Sequence, residues 1–336
     1  MIIKSIAGAT LLLGLAAQVN AQRLLVEAFD TDPAARGWTT FGDPSLFTWS
    51  AADQRLNVVW DSSKQNSYFH LPLGQSLNAQ TPFRLRFKMS LGSVAIGTNP
   101  EKPYTFQIAL GLVRLANAAA PGYARGAGIG PENGPRNLVE FTYFPDSGFG
   151  ATVAPTIISQ ANQYAASFNY PLELDMGPVF EVEMEFTPES KRLRTRVWRD
   201  GQVFGTPPGL TIDDAILPDD FAPFEVDALA ISSYSDEGQL PPEFSGSVLA
   251  SGWVDDVELT LPFPDVPALT LSRQGARSVV QFEGRADRMY RLEASADLAQ
   301  WESVGAPQTG IQGPMEFIEE HDAMNVRFYR LRIAMP

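Results

Sequence analysis

The chain has 336 residues, no cysteine, two histidines and a formal charge of −14. The missing cysteines exclude disulfides, thiol catalysis, cysteine-ligated zinc and iron–sulfur clusters, so the fold must be held by its core. The acidic balance argues against nucleic acid and anionic membrane surfaces as partners and suits neutral ligands or carboxylate sites that take up calcium.

In chain order, Lys4 precedes an apolar run over residues 6–17, and Val19-Asn20-Ala21 follows with the small residues a signal peptidase reads. This predicts an export signal over residues 1–21, cleaved before Gln22, and a secreted or cell-surface protein. The run is shorter than the ~20 apolar residues a bilayer span requires, so no membrane insertion is expected. Strand signals then dominate. Residues 24–30 form an opening strand, 83–89 alternate apolar and basic residues, and 180–186 repeat the alternation with acids. Period two over seven residues places one face in a core and the other in water. Residues 138–144 and 253–259 read as further strands. Asp200-Gly201, between the runs 193–198 and 202–204, supplies the positive φ values of a tight hairpin. Helical signals are confined to 112–120 and 212–217. The Gly-, Pro- and Ala-rich stretch 121–134 is a long loop of the kind that is either functional or mobile.

Alternate prolines at 262, 264 and 267 mark a linker over residues 262–267. Short strand signals at 268–271, 278–282, 290–294, 315–319 and 328–333, separated by turn residues, predict a small second β-sandwich over 268–336. The whole is expected to be all-β: a large antiparallel sandwich over 22–261, then a small one.

Three features carry a resemblance in the large domain. They are the opening strand with Gly37-Trp38, the central Leu138-Val139-Glu140-Phe141-Thr142-Tyr143-Phe144, and the closing Trp253-Val254-Asp255-Asp256-Val257-Glu258-Leu259. In this order they resemble a concanavalin-A-like jelly roll, the fold of legume lectins, laminin-G-like modules and laminarinase-type glycosidases. The resemblance implies a closing strand that returns beside the first. The C-terminal part, with Tyr290-Arg291-Leu292-Glu293-Ala294, Trp301 and Phe328-Tyr329-Arg330-Leu331, is similar to fibronectin-type-III-like modules and implies no chemistry.

Residues 139–146 resemble the metal-binding strand of legume lectins. Glu140 matches its glutamate, but Thr142 stands where the metal-bridging aspartate belongs, and a paired-metal site needs that carboxylate. Glu140 and Thr142 share one strand face, with Asp146 at the turn beyond; the plain alternative is a polar patch. A retaining glycosidase requires two carboxylates about 5–5.5 Å apart. Glu173 and Asp175 match the first two acids of the laminarinase-type motif, but Pro178 replaces the third; at Glu140 the matching positions hold Thr142 and Pro145. Carboxylates brought together from separate strands stay open as a route to a glycosidase or lyase. His70 and His321 lack a nucleophile elbow, and His70 reads as a hydrogen-bonded structural histidine.

Asp255 shares strand parity with Val257, Leu259 and Leu261, which predicts an inward carboxylate that needs a partner. The resemblance implies one structural calcium there, with Asp30 or Gly42 contributing; no other cofactor is called for. Aromatic residues gather between Tyr104 and Tyr170, with Asn162, Asn169 and Asp146 close by. Sugars stack on such rings while amides and acids take their hydroxyls. Tyr164 and Tyr170 are expected to stay exposed, and Trp38, Trp49, Trp60 and Trp198 to fill core or rim. The expected function is non-catalytic saccharide or polysaccharide binding, or adhesion, through Glu140, Thr142, Asp146, Asn162, Tyr164, Asn169 and Tyr170. The alternative is a structural surface protein that binds protein partners.

Overall fold

The computed structural model describes residues 22–96, 107–125, 134–207, 209–235, 247–261, 267, 269–274, 276–284, 286, 288–311, 313–320 and 327–334. The segment read as an export signal (1–21), most of that read as a linker (262–266), and His321 lie outside them. The chain divides into two compact units, Gln22–Pro262 and a second that holds Phe263–Pro336.

The larger unit is a sandwich of two antiparallel sheets. The nine-stranded sheet runs Gln202–Phe204, Arg192–Arg199, Phe180–Thr187, Phe83–Ile96, Val248–Leu261, Arg55–Asp61, Phe47–Ser50. Gln22–Glu27 also pairs with Val248–Leu261, so the closing strand does lie beside the opening one, with Leu25 opposite Leu259. The eight-stranded sheet runs Tyr164–Ala166, Thr156–Ile158, Leu138–Phe144, Ile108–Val113, Glu225–Ser233, Ser67–Asn78, Thr39–Phe41. This crossing order of non-consecutive antiparallel strands is a jelly roll.

Alternation explains the packing. Phe83, Leu85, Phe87 and Met89 are buried, and so are Phe180, Val182, Met184 and Phe186 opposite them. Between these residues the outer face carries Arg84, Arg86 and Lys88 in register with Glu185, Glu183 and Glu181, and Arg196 reaches Glu183 at 2.6 Å from the next strand. The opposite charges thus answer one another on a solvated face, where each pair contributes at most about 1 kcal/mol. From the eight-stranded sheet, Phe141 meets Phe87 edge-on, and Phe69 stacks on Trp38 at 5.0 Å. Trp38 and Trp60 are fully buried, while Trp49 and Trp198 are half-buried. Asp200 and Gly201, at φ 49° and 79°, make the expected tight hairpin.

Of the two helical signals, the first is met and the second is not. Residues 112–120 supply the end of a strand and a single turn of helix, Leu115–Ala118. Within 212–217 the chain is extended, with Ala215–Ile216 paired to Arg192–Arg199, because Ile212, Ala215 and Leu217 bury against the sandwich instead of one helical stripe.

The second unit is a small sandwich of two three-stranded sheets. One orders Thr270–Gln274, Arg277–Gly284, Gly313–Glu320; the other orders Glu302–Thr309, Met289–Ser295, Phe328–Ala334. Its core contains Val280, Phe282, Tyr290, Leu292, Phe317 and Leu331. Glu293 is nearly buried and holds Arg330 and Arg332, and the Arg330 guanidinium lies 4.2 Å above the Trp301 ring.

Candidate functional site

The central strand Leu138–Phe144 sends its side chains to two destinations. Val139, Phe141 and Tyr143 enter the sandwich core, while Glu140 and Thr142 stand on the outer face of the eight-stranded sheet. That outer face is not the wet polar patch that alternation suggests. Glu140 and Thr142 are both fully buried. Arg125 donates through Nε to Glu140 Oε2 at 3.1 Å, and the Tyr234 hydroxyl donates to Oε1. Arg125 is itself only 5% exposed, so this is an ion pair without solvent. Burial pushes the Glu140 carboxyl above its ordinary pKa, and the Arg125 charge and the Tyr234 hydrogen bond pull against that rise. Burial would lower the Arg125 pKa, but the Glu140 charge and the surrounding tyrosines leave it raised. The Tyr234 and Tyr68 phenols, packed edge-to-face at 5.7 Å, are driven well above the phenol range by burial. Both Glu140 oxygens therefore have protein partners. Thr142 donates to the Ala154 carbonyl.

This cluster fits because the neighbouring strand is bare at the same level. Gly111 lies opposite Glu140, and a Cβ added there would sit 2.2 Å from the Val139 carbonyl oxygen and 2.6 Å from Glu140 Cα. The obstructing atoms are backbone, so Gly111→Ala is expected to destabilise the larger unit by ~1–3 kcal/mol or more. Urea unfolding of that variant measures the loss; an unchanged midpoint would contradict this packing.

His70, in register with Ala230 on the same sheet, has two polar contacts. Its Nε2 is 3.1 Å from the Thr39 hydroxyl and its Nδ1 is 3.4 Å from the Tyr68 carbonyl, which only an N–H can satisfy. Burial lowers its pKa, and the backbone hydrogen bond opposes this. A histidine whose folded pKa is depressed binds its proton more readily when unfolded. Stability is thus unaffected by His70 above its unfolded pKa near 6.5 and is lost as pH falls below it. His70→Gln is expected to flatten that acid-side loss between pH 7 and 5 in thermal melts; an unaltered slope would contradict it.

The predicted asparagines are also engaged. Asn162, at φ 57°, accepts from Arg136 N at 2.9 Å and donates to the Gly134 carbonyl. Asn169 donates to the Val153 carbonyl and Ser167 Oγ, both at 3.2 Å, and accepts from Asp213 N at 2.8 Å. Its role is to pin an extended segment. With Asn169 turned inward, the rings on either side point outward, and Phe168 and Tyr170 are 53% and 49% exposed.

Those two rings line an open hollow of about 660 Å³ together with Phe144, Phe149, Ser147 and Thr152. Phe149 is 71% exposed at the tip of a turn in which Asp146 accepts from Gly148 N at 2.9 Å and Ser147 N donates to the Gly150 carbonyl at 3.1 Å. Gly148 and Gly150 take φ of 84° and 96°, which glycine alone adopts freely. Phe149 and Tyr170 lie 5.5 Å apart and tilted by 35°. Tyr164, half-buried, stacks on the other side of Phe168 at 6.1 Å. Ser147 Oγ and Thr152 Oγ1 lie 2.7 Å apart, and each is 3.0 Å from the Gly150 carbonyl oxygen. Among the described residues, the hollow's lining includes no carboxylate.

The residues considered for calcium are placed as follows. Asp30 is exposed and 3.8 Å from Arg36. Gly42, at φ 85°, lies tight against Asn66 and Ser67. Asp255 does not point inward. A β-bulge between Asp255 and Glu258, with Asp256 at φ 47°, breaks the alternation, so Val254 and Val257 are the buried residues and Asp255 is half-exposed. Asp255 accepts from Asp256 N at 2.7 Å, and partial burial raises its pKa. Among the described residues no group of three or more acidic or histidine side chains is placed to hold a metal ion. Nor does any described helix have the length and apolarity to cross a membrane.

No protein-family model and no curated protein matches the chain. Solved structures of similar outline include the lectin UEA-II complexed with galactose, at 11% identity and a TM-score of 0.46 over 71% of this chain and 99% of that one. Peanut lectin with a nine-residue peptide matches at 12% and 0.41, over 68% and 94%. A β-glucanase of Bacillus licheniformis matches at 6% and 0.37, over 71% and 98%. Likeness at this level carries no argument about function; the fold rests on the sheet order above.

Proposed function

We propose that this is an exported, non-catalytic carbohydrate-binding protein that stacks a neutral saccharide on the Phe149, Phe168 and Tyr170 rings. The exposure of those rings carries the reading. Burying each would contribute roughly 1.5–3 kcal/mol, and a rimmed, exposed apolar hollow marks a place where something else is to be covered. Exposed, tilted rings suit a sugar, which offers an apolar face to stack on, and the volume falls in the range of small-ligand sites. The uncharged lining favours a neutral ligand and makes calcium unnecessary for contact. The Lys4-to-Ala21 segment supports export.

The test is a panel of soluble glycans and of insoluble polysaccharides, probed with the mature chain and with Phe149→Ala/Tyr170→Ala. Retention on one polysaccharide class, lost in the variant, is the expected result. Silence across the panel would overturn the reading and shift it to protein docking, which three phenylalanines around one hollow would also serve.

A further inference from the structure

The Glu140–Arg125 cluster contains more donors than its partners use. Among the described residues, the Tyr68 hydroxyl, Ser232 Oγ, Gln107 Nε2 and Arg125 Nη2 are buried and have no hydrogen-bond partner. The strand registers gather them on one face: Ser232 stands opposite Tyr68 on one side and Ala109 on the other, and Gln107 is two residues from Ala109 along the chain. Tyr68 packs on Tyr234, whose hydroxyl is on Glu140, and Glu140 holds Arg125. Small side chains, Ala109, Gly111 and Ala230, pave the sheet between them.

Leaving several buried polar groups unsatisfied would forfeit a large share of a domain's stability, so such groups imply an occupant. The guanidinium and amide nitrogens can only donate, and the two hydroxyls can donate as well. The partner they call for is therefore an acceptor, and the charged guanidinium nitrogen bonds a carboxylate most strongly. We propose that this face is a second binding site, separate from the aromatic hollow, that takes a small carboxylate between Arg125 Nη2, Tyr68, Ser232 and Gln107. No bond is made or broken there; the ligand's oxygens accept what the protein donates.

The experiment is ligand titration of the mature chain by protein NMR with sodium acetate and sodium lactate, against sodium chloride and glycerol at matched concentrations. Saturable shifts with both carboxylates, and none with glycerol, are expected. Tyr68→Phe and Ser232→Ala each remove a hydroxyl without opening a cavity larger than an oxygen atom. Each is expected to weaken carboxylate binding at least fivefold while leaving the ligand-free Tm unchanged or raised, since no protein hydrogen bond is lost. Phe149→Ala, in the hollow, should leave the response intact, which separates this site from the saccharide reading. Absence of saturable binding, an equal response to glycerol, or carboxylate binding undiminished in both hydroxyl variants would overturn the proposal. So would a fall in the ligand-free Tm of Tyr68→Phe, which would mean that water already satisfies the hydroxyl.

Discussion

Glu140→Ala is expected to destabilise the larger unit by ~3–5 kcal/mol, the loss typical when one partner of a buried ion pair is removed. The variant leaves Arg125 charged, 5% exposed and without its carboxylate, and it strips Tyr234 of its acceptor. Urea unfolding should show a lower midpoint with an unchanged slope, because the surface exposed on unfolding stays the same. Glu140→Ala/Arg125→Met is expected to recover much of that loss, since the orphaned charge goes with the second substitution. A Glu140→Ala variant within ~0.5 kcal/mol of wild type, the range of surface substitutions, would show that the pair is not formed. With both oxygens engaged, Glu140 ties Arg125 and Tyr234 to the central strand.

Phe149→Ala/Tyr170→Ala is expected to have the opposite profile. Both rings are largely in water, so stability should move by no more than ~0.5 kcal/mol. Affinity for the bound saccharide should fall by about 100-fold: two stacking rings worth ~1.5 kcal/mol each sum to ~3 kcal/mol, and every 1.4 kcal/mol is tenfold. Calorimetric titration and a thermal melt of one preparation measure both. A variant that binds normally, or that unfolds early, contradicts the assignment of these rings to ligand.

The frame of the molecule was readable because period-two alternation over 83–89 and 180–186 reports directly on one buried face, and because Asp200-Gly201 has few uses besides a tight hairpin. Asp255 escaped the same rule through a bulge. One extra residue between Asp255 and Glu258 reverses which side chains face the core, and nothing in the residue types announces it. Residues 212–217 were read by composition as helix, whereas their apolar side chains are spread to meet the sandwich from an extended chain. At the site, residue type misdirected. Asn162 and Asn169 are the kind of side chain a sugar hydrogen-bonds, yet an amide satisfies a loop backbone equally well, and burial decides between the two uses. Tyr164 is half-buried beneath Phe168, and Tyr170 stands free beside Phe149. Phe149 and Phe168 were visible as part of an aromatic stretch, but only the glycine turn and the inward Asn169 place them at the surface. Arg125, Tyr68 and Tyr234 could not be paired with Glu140 from sequence at all. Arg125 lies in an aperiodic loop, and Tyr234 is 94 residues from the carboxylate that its hydroxyl meets.

Binding of a neutral sugar by aromatic rings, as proposed, needs no metal. The most direct measurement is calorimetric titration of the polysaccharide class retained by the panel into the mature chain, with calcium and again with chelator, beside Phe149→Ala/Tyr170→Ala. The account predicts equal affinity with and without calcium and about 100-fold weaker binding in the variant. Binding that vanishes with chelator, or that survives loss of both rings, would contradict it.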